Sequence, residues 1–397
     1  MKLLLIVNED RFFLSHRKEI ALAAKDAGWE VTVVCKDTGL RGEIEALGLE
    51  VLELPINPTG MNPLQEFKTW RFLYKLYRKN RNAIVHHVGL KNILWGGLAA
   101  KLVGVRGVVN AVSGLGGLFS IDKLKPTTMG VLAIMRFSNK RQNVKVIFQN
   151  QEDKSLFLCH GVVKESQTAF IKGSGVDLDV FKYAPEPPVE ASHETSLLHE
   201  KTLKVVFTAR MVKEKGVMEL IAAAERLRKD YEGKVEFWLC GRLAVNATAV
   251  SREELETLCD GRYIKWLDFQ KDIKSILEQC HIMAFPSYYR EGVPKSLIDA
   301  CAIGRPIVTT NSIGCKDTVD DGVNGFLVPV KDSEALARKL RILIEDKELR
   351  VRMGKASREK AEKEFSLKDV VGKHLAIYKI VGDGTHQGST QKPYMAT

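Results

Sequence analysis

Two carboxylates enclose a lysine and a serine hydroxyl in the stretch EGVPKSLIDA at residues 291–300. The stretch follows an apolar run and predicts a tight loop that opens a helix. Pro294 suits the first turn of that helix, where its missing N–H is not needed. Free amides at such a helix start, together with Lys295 and Ser296, would bind a phosphate or diphosphate. Glu291 and Asp299 would instead accept hydrogen bonds from sugar hydroxyls. The combination predicts a nucleotide-sugar site, although an ordinary capped helix would contain the same residue types.

A second charged segment, TARMVKEKG at residues 208–216, follows another strand-like run. Arg210 and Lys215 lie five residues apart across a turn that opens a helix. An arginine fork and a lysine point charge at this separation can bind one diphosphate together. The alternative is a solvated basic turn.

Segments at the ends of strand-like runs in the first half are candidates for binding a second substrate, the acceptor. In open parallel sheets ligands bind beyond the carboxyl ends of the strands. Three such segments are the polar loop at 8–17, the run VHHVGLK at 85–91 and the glycine-rich loop at 110–119. We therefore predict acceptor contacts from His16, His86, Lys91, Ser113, Gly114 and Gly116. A helix-start role for His16 and a core position for one histidine of the 86–87 pair are alternatives.

Composition and charge limit the class of protein. The chain of 397 residues is long enough for two domains, and its 45% hydrophobic content is typical of a globular protein. No run of 18 apolar residues is present, so no transmembrane helix is predicted. The seven cysteines include no C-x-x-C pair, which favours a reduced cytosol over disulfides or zinc. The Asp177-Leu-Asp179 triplet has the D-x-D form of a metal motif, but it precedes a linker, and we expect no metal.

The net charge of +11 is unevenly distributed. Residues 1–185 hold 26 Lys and Arg against 17 Asp and Glu, which leaves +9, whereas the remainder holds 34 against 32. Residues 66–82 predict a helix whose aromatic stripe adjoins a basic face, a pattern that fits an anionic membrane surface. A helix that packs its stripe on a sheet is the alternative. We expect the protein at the inner face of the cell membrane, in peripheral contact with lipid and not with nucleic acid.

Strand-like runs alternate with helical patterns in two successive sets, which predicts an α/β protein with two Rossmann-like domains. The domains are expected at residues 1–185 and 203–366, with a proline-containing linker between them. A final helix at about 367–380 would pack back on the first domain. Residues 382–397 are polar and glycine-rich, and we expect a disordered tail.

The stretch at 291–300 resembles the donor motif E-G-x-P-x-S-x-x-E-A of the GT4 retaining glycosyltransferases, which have the GT-B fold. Glu291, Gly292, Pro294, Ser296 and Ala300 match the motif, whereas Asp299 replaces its second glutamate. The order of Arg210, Lys215 and Gly216 also resembles the family pattern. Segments at 110–119, 148–153 and 173–181 are similar to a GT4 subgroup, of the PglA type, that extends undecaprenyl-diphosphate-linked sugars.

The resemblance implies two domains facing each other across a cleft and a retaining transfer without a cofactor or metal. The donor would be a nucleotide sugar, a UDP-HexNAc or UDP-hexose, and the acceptor a polyprenyl-diphosphate-linked sugar in bacterial glycan assembly. Arg210, Lys215 and Glu291 would have the catalytic roles. The implied donor contacts are Arg210, Lys215, Glu291, Gly292, Val293, Pro294, Lys295, Ser296, Leu297 and Asp299. A UDP-sugar 2-epimerase of similar fold, which needs no acceptor, is the main alternative. A periplasmic-type binding protein would not need the Arg210 and Lys215 pair.

Overall fold

The first half of the chain is built around a parallel sheet of seven strands in the order β3-β2-β1-β4-β5-β6-β7. The structure is a computed structural model that describes residues 1–58, 60, 62–116, 126–188, 202–244 and 248–383. The strands are β1 (Lys2–Glu9), β2 (Glu30–Lys36), β3 (Glu50–Glu53), β4 (Ile84–Val88), β5 (Gly107–Val112), β6 (Val144–Phe148) and β7 (Thr168–Phe170). The central strands β4 and β5 are buried along their whole length, because helices cover both faces of the sheet.

The second half contains a parallel sheet of six strands in the order β10-β9-β8-β11-β12-β13. Its strands are β8 (Leu203–Thr208), β9 (Val235–Cys240), β10 (Ile264–Asp268), β11 (Ile282–Phe285), β12 (Ile307–Thr310) and β13 (Gly325–Val328). The two successive sets of strands predicted from the alternating pattern are thus both present. The prediction of an α/β fold with two Rossmann-like halves is confirmed.

Helices connect the strands and cover the sheets. In the first half they are α1 (Asp10–His16), α2 (Lys18–Asp26), α3 (Arg41–Glu45), α4 (Pro63–Lys79), α5 (Leu90–Val103), α6 (Pro126–Asn139) and α7 (Gln151–Cys159). In the second half they are α8 (Val217–Tyr231), α9 (Arg252–Leu258), α10 (Ile273–Gln279), α11 (Lys295–Ile303), α12 (Ser333–Glu345) and α13 (Lys347–Glu364). Within the described residues, no helix combines the length and apolarity needed to cross a membrane.

The last helix, α14 (Leu367–Asp383), lies against the sheet of the first half. Tyr378 is fully buried there, and its hydroxyl is 2.7 Å from Nδ1 of His86 on β4. Arg106, which precedes β5, donates from Nε to the carbonyl oxygen of Gly382 at 2.6 Å. The chain therefore crosses between the halves twice. The domain boundaries themselves stay a prediction, and most of the predicted linker (189–201) and tail (384–397) lies outside the described residues.

The strand order reverses direction at two points that define where ligands bind. In the first sheet β4 and β2 flank β1, and in the second sheet β11 and β9 flank β8. A crevice forms at such a reversal beyond the carboxyl ends of the strands. The segments that follow β1, β4 and β5 carry the predicted acceptor residues, except His86, which lies within β4. Those that follow β8 and β11 carry the predicted donor residues.

Candidate functional site

Lys215 and Glu291 form an ion pair beyond the adjacent ends of β8 and β11. Their side chains are 15% and 13% exposed, so the pair is largely but not completely shielded from solvent. The ammonium also lies 5.5 Å from the ring centre of Phe285 and 5.7 Å from that of Tyr289. Ser287 donates from its hydroxyl to Glu291 at 3.3 Å. The two residues that the sequence placed in separate motifs therefore meet at one point.

Gly216 allows the turn that carries Lys215 to approach the end of β11. Its φ is +82°, and a Cβ at this position would collide with the carbonyl oxygen of Pro286. The turn is also fixed by the amides of Tyr288 and Tyr289, which donate to the carbonyl oxygen of Glu214 at 2.9 and 3.1 Å. A side chain at 216 would push the turn away and separate Lys215 from Glu291.

Arg210 adds a second positive charge near Lys215, on the solvent-exposed side. Its side chain is exposed and makes no hydrogen bond or ion pair with any other residue that the structure describes. It lies close enough to Tyr289 for its charge to lower the pKa of that phenol, although burial raises this pKa overall. An unengaged guanidinium beside a lysine can bind a phosphate group without first breaking another contact.

The start of α11 matches the predicted loop and helix. Pro294 is the residue at the helix start, and amides in this first turn have no partner within the helix. Lys295 forms an ion pair with Asp299 one turn later. Burial raises the pKa of the Asp299 carboxyl, and the positive charge of Lys295 opposes that rise. The side chain of Ser296 is partly exposed at the same end.

Two of the predicted donor contacts are engaged elsewhere. Leu297 is fully buried in the core of the second half, so its side chain cannot touch a ligand in the cleft. The amide of Val293 donates to Oε1 of Gln149 in the first half at 3.0 Å, so it is not free for a phosphate. Val293 is engaged because the loop before α11 is packed against the other half of the protein.

His16 lies at the same cleft, at the end of α1. Its ring stacks on Phe12, with 4.4 Å between the ring centres, and Nδ1 is 2.6 Å from the hydroxyl of Ser15. The pKa of His16 is lowered to about 3, mainly by desolvation and further by the positive charges of Arg17, Lys295 and Lys215. The ring is therefore neutral at pH 7 and close to both lysines of the second half.

The glycine-rich loop after β5 touches the second half directly. Gly114 has a φ of +105°, and a Cβ there would lie 2.6 Å from the amide nitrogen of Gly292. Gly116 donates from its amide to the carbonyl oxygen of Arg290 at 3.3 Å, and a Cβ there would lie 2.6 Å from the hydroxyl of Tyr289. Ser113 precedes these two glycines and is partly exposed. The loop from residue 117 onward lies outside the described residues.

His86 and Lys91 do not reach the cleft; for His86 the alternative of a core position is the one observed. His86 is fully buried on the face of the first sheet that α14 covers, so an acceptor in the cleft would not contact its ring. Burial also lowers its pKa well below the ordinary value. Lys91 forms an ion pair with Glu66 at 2.6 Å and donates to the carbonyl oxygen of Asn57 at 2.7 Å. It therefore holds the segment before α4.

The remaining candidate segments have clear structural roles. Asp177 accepts hydrogen bonds from the amides of Asp179 and Val180 at 2.9 and 3.2 Å, which is a turn rather than a ligand set. Among the residues with described positions, no group of three or more His, Cys, Asp or Glu side chains is arranged to hold a metal ion.

The sequence analysis noted residues 148–153 only for their similarity to a GT4 subgroup and did not predict that side chains from this segment bind the 290–293 loop. Gln149, Asn150 and Asp153 are all buried, and each bonds to this loop. Their signal was a polar run directly after the apolar strand β6, where buried side chains need partners. Arg17 was also missed; it is 2% exposed and donates to the carbonyl oxygen of His16 at 2.9 Å.

Two parallel sheets face each other across a cleft, and the cations Arg210 and Lys215 lie there with the carboxylate of Glu291. This arrangement is that of a GT-B glycosyltransferase. The family model described as "Glycosyl transferase 4-like" matches residues 2–150, and "Glycosyl transferases group 1" matches residues 188–360. The chain belongs to the GT4-like glycosyltransferases and is a hexosyltransferase.

Two curated relatives align over most of the chain. An N,N'-diacetylbacillosaminyl-diphospho-undecaprenol alpha-1,3-N-acetylgalactosaminyltransferase of Campylobacter jejuni is 27% identical and aligns over 92% of this chain and 97% of its own length. A UDP-Gal:alpha-D-GlcNAc-diphosphoundecaprenol alpha-1,3-galactosyltransferase of Escherichia coli is 24% identical over 88% and 89% of the two chains. The epimerase alternative finds no support in these comparisons.

Solved structures agree on the fold. Anabaena Alr3699/HepE in complex with UDP has a TM-score of 0.73 at 18% identity and covers 96% of this chain and 100% of its own. The sucrose-phosphate synthase of Thermosynechococcus elongatus has a TM-score of 0.76 at 18% identity, with 97% and 100% covered. At these identities the likeness establishes the GT-B architecture.

Proposed function

We propose that the protein transfers a sugar from a UDP-HexNAc or UDP-hexose to a polyprenyl-diphosphate-linked sugar, with retention at the anomeric carbon. The assembly of a bacterial surface glycan or glycoprotein glycan is the corresponding process. The observation that carries the proposal is the contact of Lys215 with Glu291 beside the unengaged Arg210. The two relatives that align over most of the chain support it, because both have names that specify undecaprenyl-diphosphate-linked acceptors.

In this proposal the second half stabilises the departing nucleotide. Arg210 and Lys215 bind the diphosphate, whose negative charge grows as the bond to the sugar breaks. Preorganised cations aimed at developing charge are a large source of catalysis. Glu291 accepts hydrogen bonds from the donor sugar, and Asp299 accepts from the ribose. Gly292, Pro294 and Ser296 line the same approach.

The acceptor hydroxyl enters from the first half, past His16, Ser113, Gly114 and Gly116. The leaving diphosphate oxygen takes the proton of this hydroxyl, so the proposal assigns no protein base. It also assigns no metal or other cofactor, because two protein cations face the leaving group. His16 is neutral at pH 7 and is suited to a hydrogen bond with the acceptor rather than to a charge contact.

A panel of nucleotide sugars tests the donor and the reaction together. We expect one UDP-sugar to raise the unfolding temperature of the purified protein, because a ligand that binds only the folded state stabilises that state. UDP release should then require a polyprenyl-diphosphate-linked sugar. Isomerisation of the sugar without an acceptor would contradict the proposal, as would a lack of response to every nucleotide.

We further propose that α4, α5 and α6 form a membrane face, in keeping with peripheral binding at the inner side of the cell membrane. The three helices pack side by side on one face of the first sheet. Their outer surface exposes the apolar side chains of Leu64, Phe67, Leu102, Met129 and Phe137. Exposed basic residues, including Lys68, Arg71 and Lys75, surround this apolar surface. The stripe predicted from sequence is divided, because Leu73 and Tyr77 pack inward while Phe67 faces solvent.

Removal of three of these charges should weaken binding to anionic vesicles. Each basic residue near an anionic surface contributes about 1 kcal/mol, so the triple change of Lys68, Arg71 and Lys75 to Gln should lower the affinity about 100-fold. Co-sedimentation with vesicles of phosphatidylglycerol and phosphatidylcholine measures this. The matched control changes Lys347, Arg352 and Lys355 on α13, which are exposed on the other half. Equal effects of the two triple variants would contradict a specific membrane face.

A further inference from the structure

The loop at residues 290–293 belongs to the second half of the chain but is held by side chains of the first half. Asp153, Asn150 and Gln149 bond to Arg290, Glu291 and Val293 respectively. The three side chains come from the end of β6 and the first turn of α7, where Asn150 is the residue that caps the helix. One short segment therefore grips the loop at three points.

The Arg290–Asp153 ion pair is the charged contact among the three and is largely buried. The guanidinium donates from Nε at 2.9 Å and from a terminal nitrogen at 2.8 Å to the same carboxylate oxygen. The side chains are 12% and 1% exposed. Burial raises the pKa of Asp153, whereas the charge of Arg290 opposes that rise. A buried carboxylate left without its cation is strongly unfavourable, so the pair holds the two halves at a defined separation.

The backbone of the loop is held by two amide side chains. Asn150, which is fully buried, donates from Nδ2 to the carbonyl oxygen of Glu291 at 3.3 Å. Gln149 accepts from the amide of Val293 at 3.0 Å. These bonds act on the peptide groups on either side of Gly292 and thereby fix the direction in which the Glu291 side chain leaves the chain.

The loop also packs tightly against the side chain of Gln149 at Gly292. A Cβ on Gly292 would collide with Oε1 of Gln149, so a residue with a side chain cannot occupy this position without displacing the grip. By contrast, Glu152 of the same first-half segment pairs with Lys316, which lies outside the 290–293 loop, and these two side chains are 34% and 37% exposed.

We propose that Gln149 and Asp153 are positioning residues for Glu291, so that the acceptor-side half sets the geometry of the carboxylate that holds the donor sugar. This inference rests on the proposed function of Glu291. The proposed diphosphate contacts, Arg210 and Lys215, lie wholly in the second half, and in the part of the chain that the structure describes neither Gln149 nor Asp153 bonds to them. The loss of the grip therefore impairs the transfer step while nucleotide binding is retained. A displacement of about 1 Å at a reacting centre can cost about 100-fold in rate.

The test compares Gln149→Met and Asp153→Asn with Lys316→Met in the full chain. We expect the first two variants to lower kcat about 10- to 100-fold while the Kd for UDP, measured by calorimetry, changes less than threefold. Lys316→Met should stay within twofold of the unmodified protein in both quantities. An unchanged kcat in the first two variants would overturn the inference. A parallel loss of kcat, UDP affinity and unfolding temperature would also overturn it, because it would indicate a general structural role.

Hydrogen exchange provides a readout that does not depend on activity. Amides at residues 291–296 should exchange at least tenfold faster in Gln149→Met and Asp153→Asn, with no change in Lys316→Met. Unchanged exchange would refute the grip. If the unmodified protein transferred no sugar from any donor, the proposed function would be refuted, whereas the exchange result would still decide whether the first half holds the loop.

Discussion

Replacement of Lys215 by alanine should lower kcat/KM for sugar transfer by about 100- to 1,000-fold. The change removes one of the two cations that we propose to bind the leaving diphosphate, and the loss of one preorganised group at a developing charge costs about 3–4 kcal/mol. It also leaves Glu291, whose side chain is 13% exposed, without its partner. Initial rates of UDP release over a range of donor concentrations measure the effect.

Lys213 is a matched control for this variant. It belongs to the same short turn, but its side chain is 50% exposed and its nearest carboxylate, Glu254, is 3.8 Å away. Lys213→Ala should change kcat/KM less than threefold, since exposed ion pairs contribute little. If Lys215→Ala retained activity within threefold of the unmodified protein, Lys215 would not bind the diphosphate.

Replacement of Gly114 by alanine should reduce kcat by about 10- to 100-fold. The added Cβ would lie 2.6 Å from the amide nitrogen of Gly292 and 2.9 Å from the carbonyl oxygen of Arg290, both of them backbone atoms that cannot rotate away. The φ of +105° adds strain for any residue with a side chain. The two halves must separate slightly at this point, which displaces Glu291 from the acceptor. Initial rates at saturating donor measure the change.

Gly28→Ala is a control that introduces the strain of a positive φ without a close contact. Its φ is +81°, but a Cβ there would meet nothing within 4 Å. Gly28→Ala should therefore destabilise the fold by about 1 kcal/mol and leave kcat unchanged. Comparable losses of kcat in both variants would mean that strain alone, and not the approach of the halves, accounts for the effect at Gly114.

In the proposed membrane face, the sequence pattern predicted the helix correctly but did not indicate which of its apolar side chains are buried and which are exposed. Residues 66–82 predicted an amphipathic helix, and α4 spans Pro63–Lys79. The aromatic stripe could pack on a sheet or face lipid, and the structure divides it between these roles. Leu73 and Tyr77 face the core because α5 covers only one side of the helix, which leaves Phe67 exposed. A periodic pattern identifies a face, but the neighbouring helix determines how much of it is buried.

The histidine at 86 shows a second limit of sequence reasoning. Alternation along β4 indicates that neighbouring side chains point to opposite faces of the sheet, but it does not indicate what covers each face. His86 faces α14, and Tyr378, its hydrogen-bond partner, lies 292 positions along the chain. No local pattern around residue 86 contains information about a helix so distant in sequence.

The amino-acid sequence by itself determined the two sets of parallel strands, the edges of the sheets where ligands bind, and the pair of motifs with Lys215 and Glu291. Each of these depends on residues close together in the chain: apolar runs, a glycine after a turn, a proline at a helix start. The tertiary structure alone decided that Gln149 occupies the amide of Val293, that Asp153 binds Arg290 and that His16 lies near Lys215 and Lys295. Contacts of this kind join groups 137 and 144 positions apart, and they form only because the two halves close on each other.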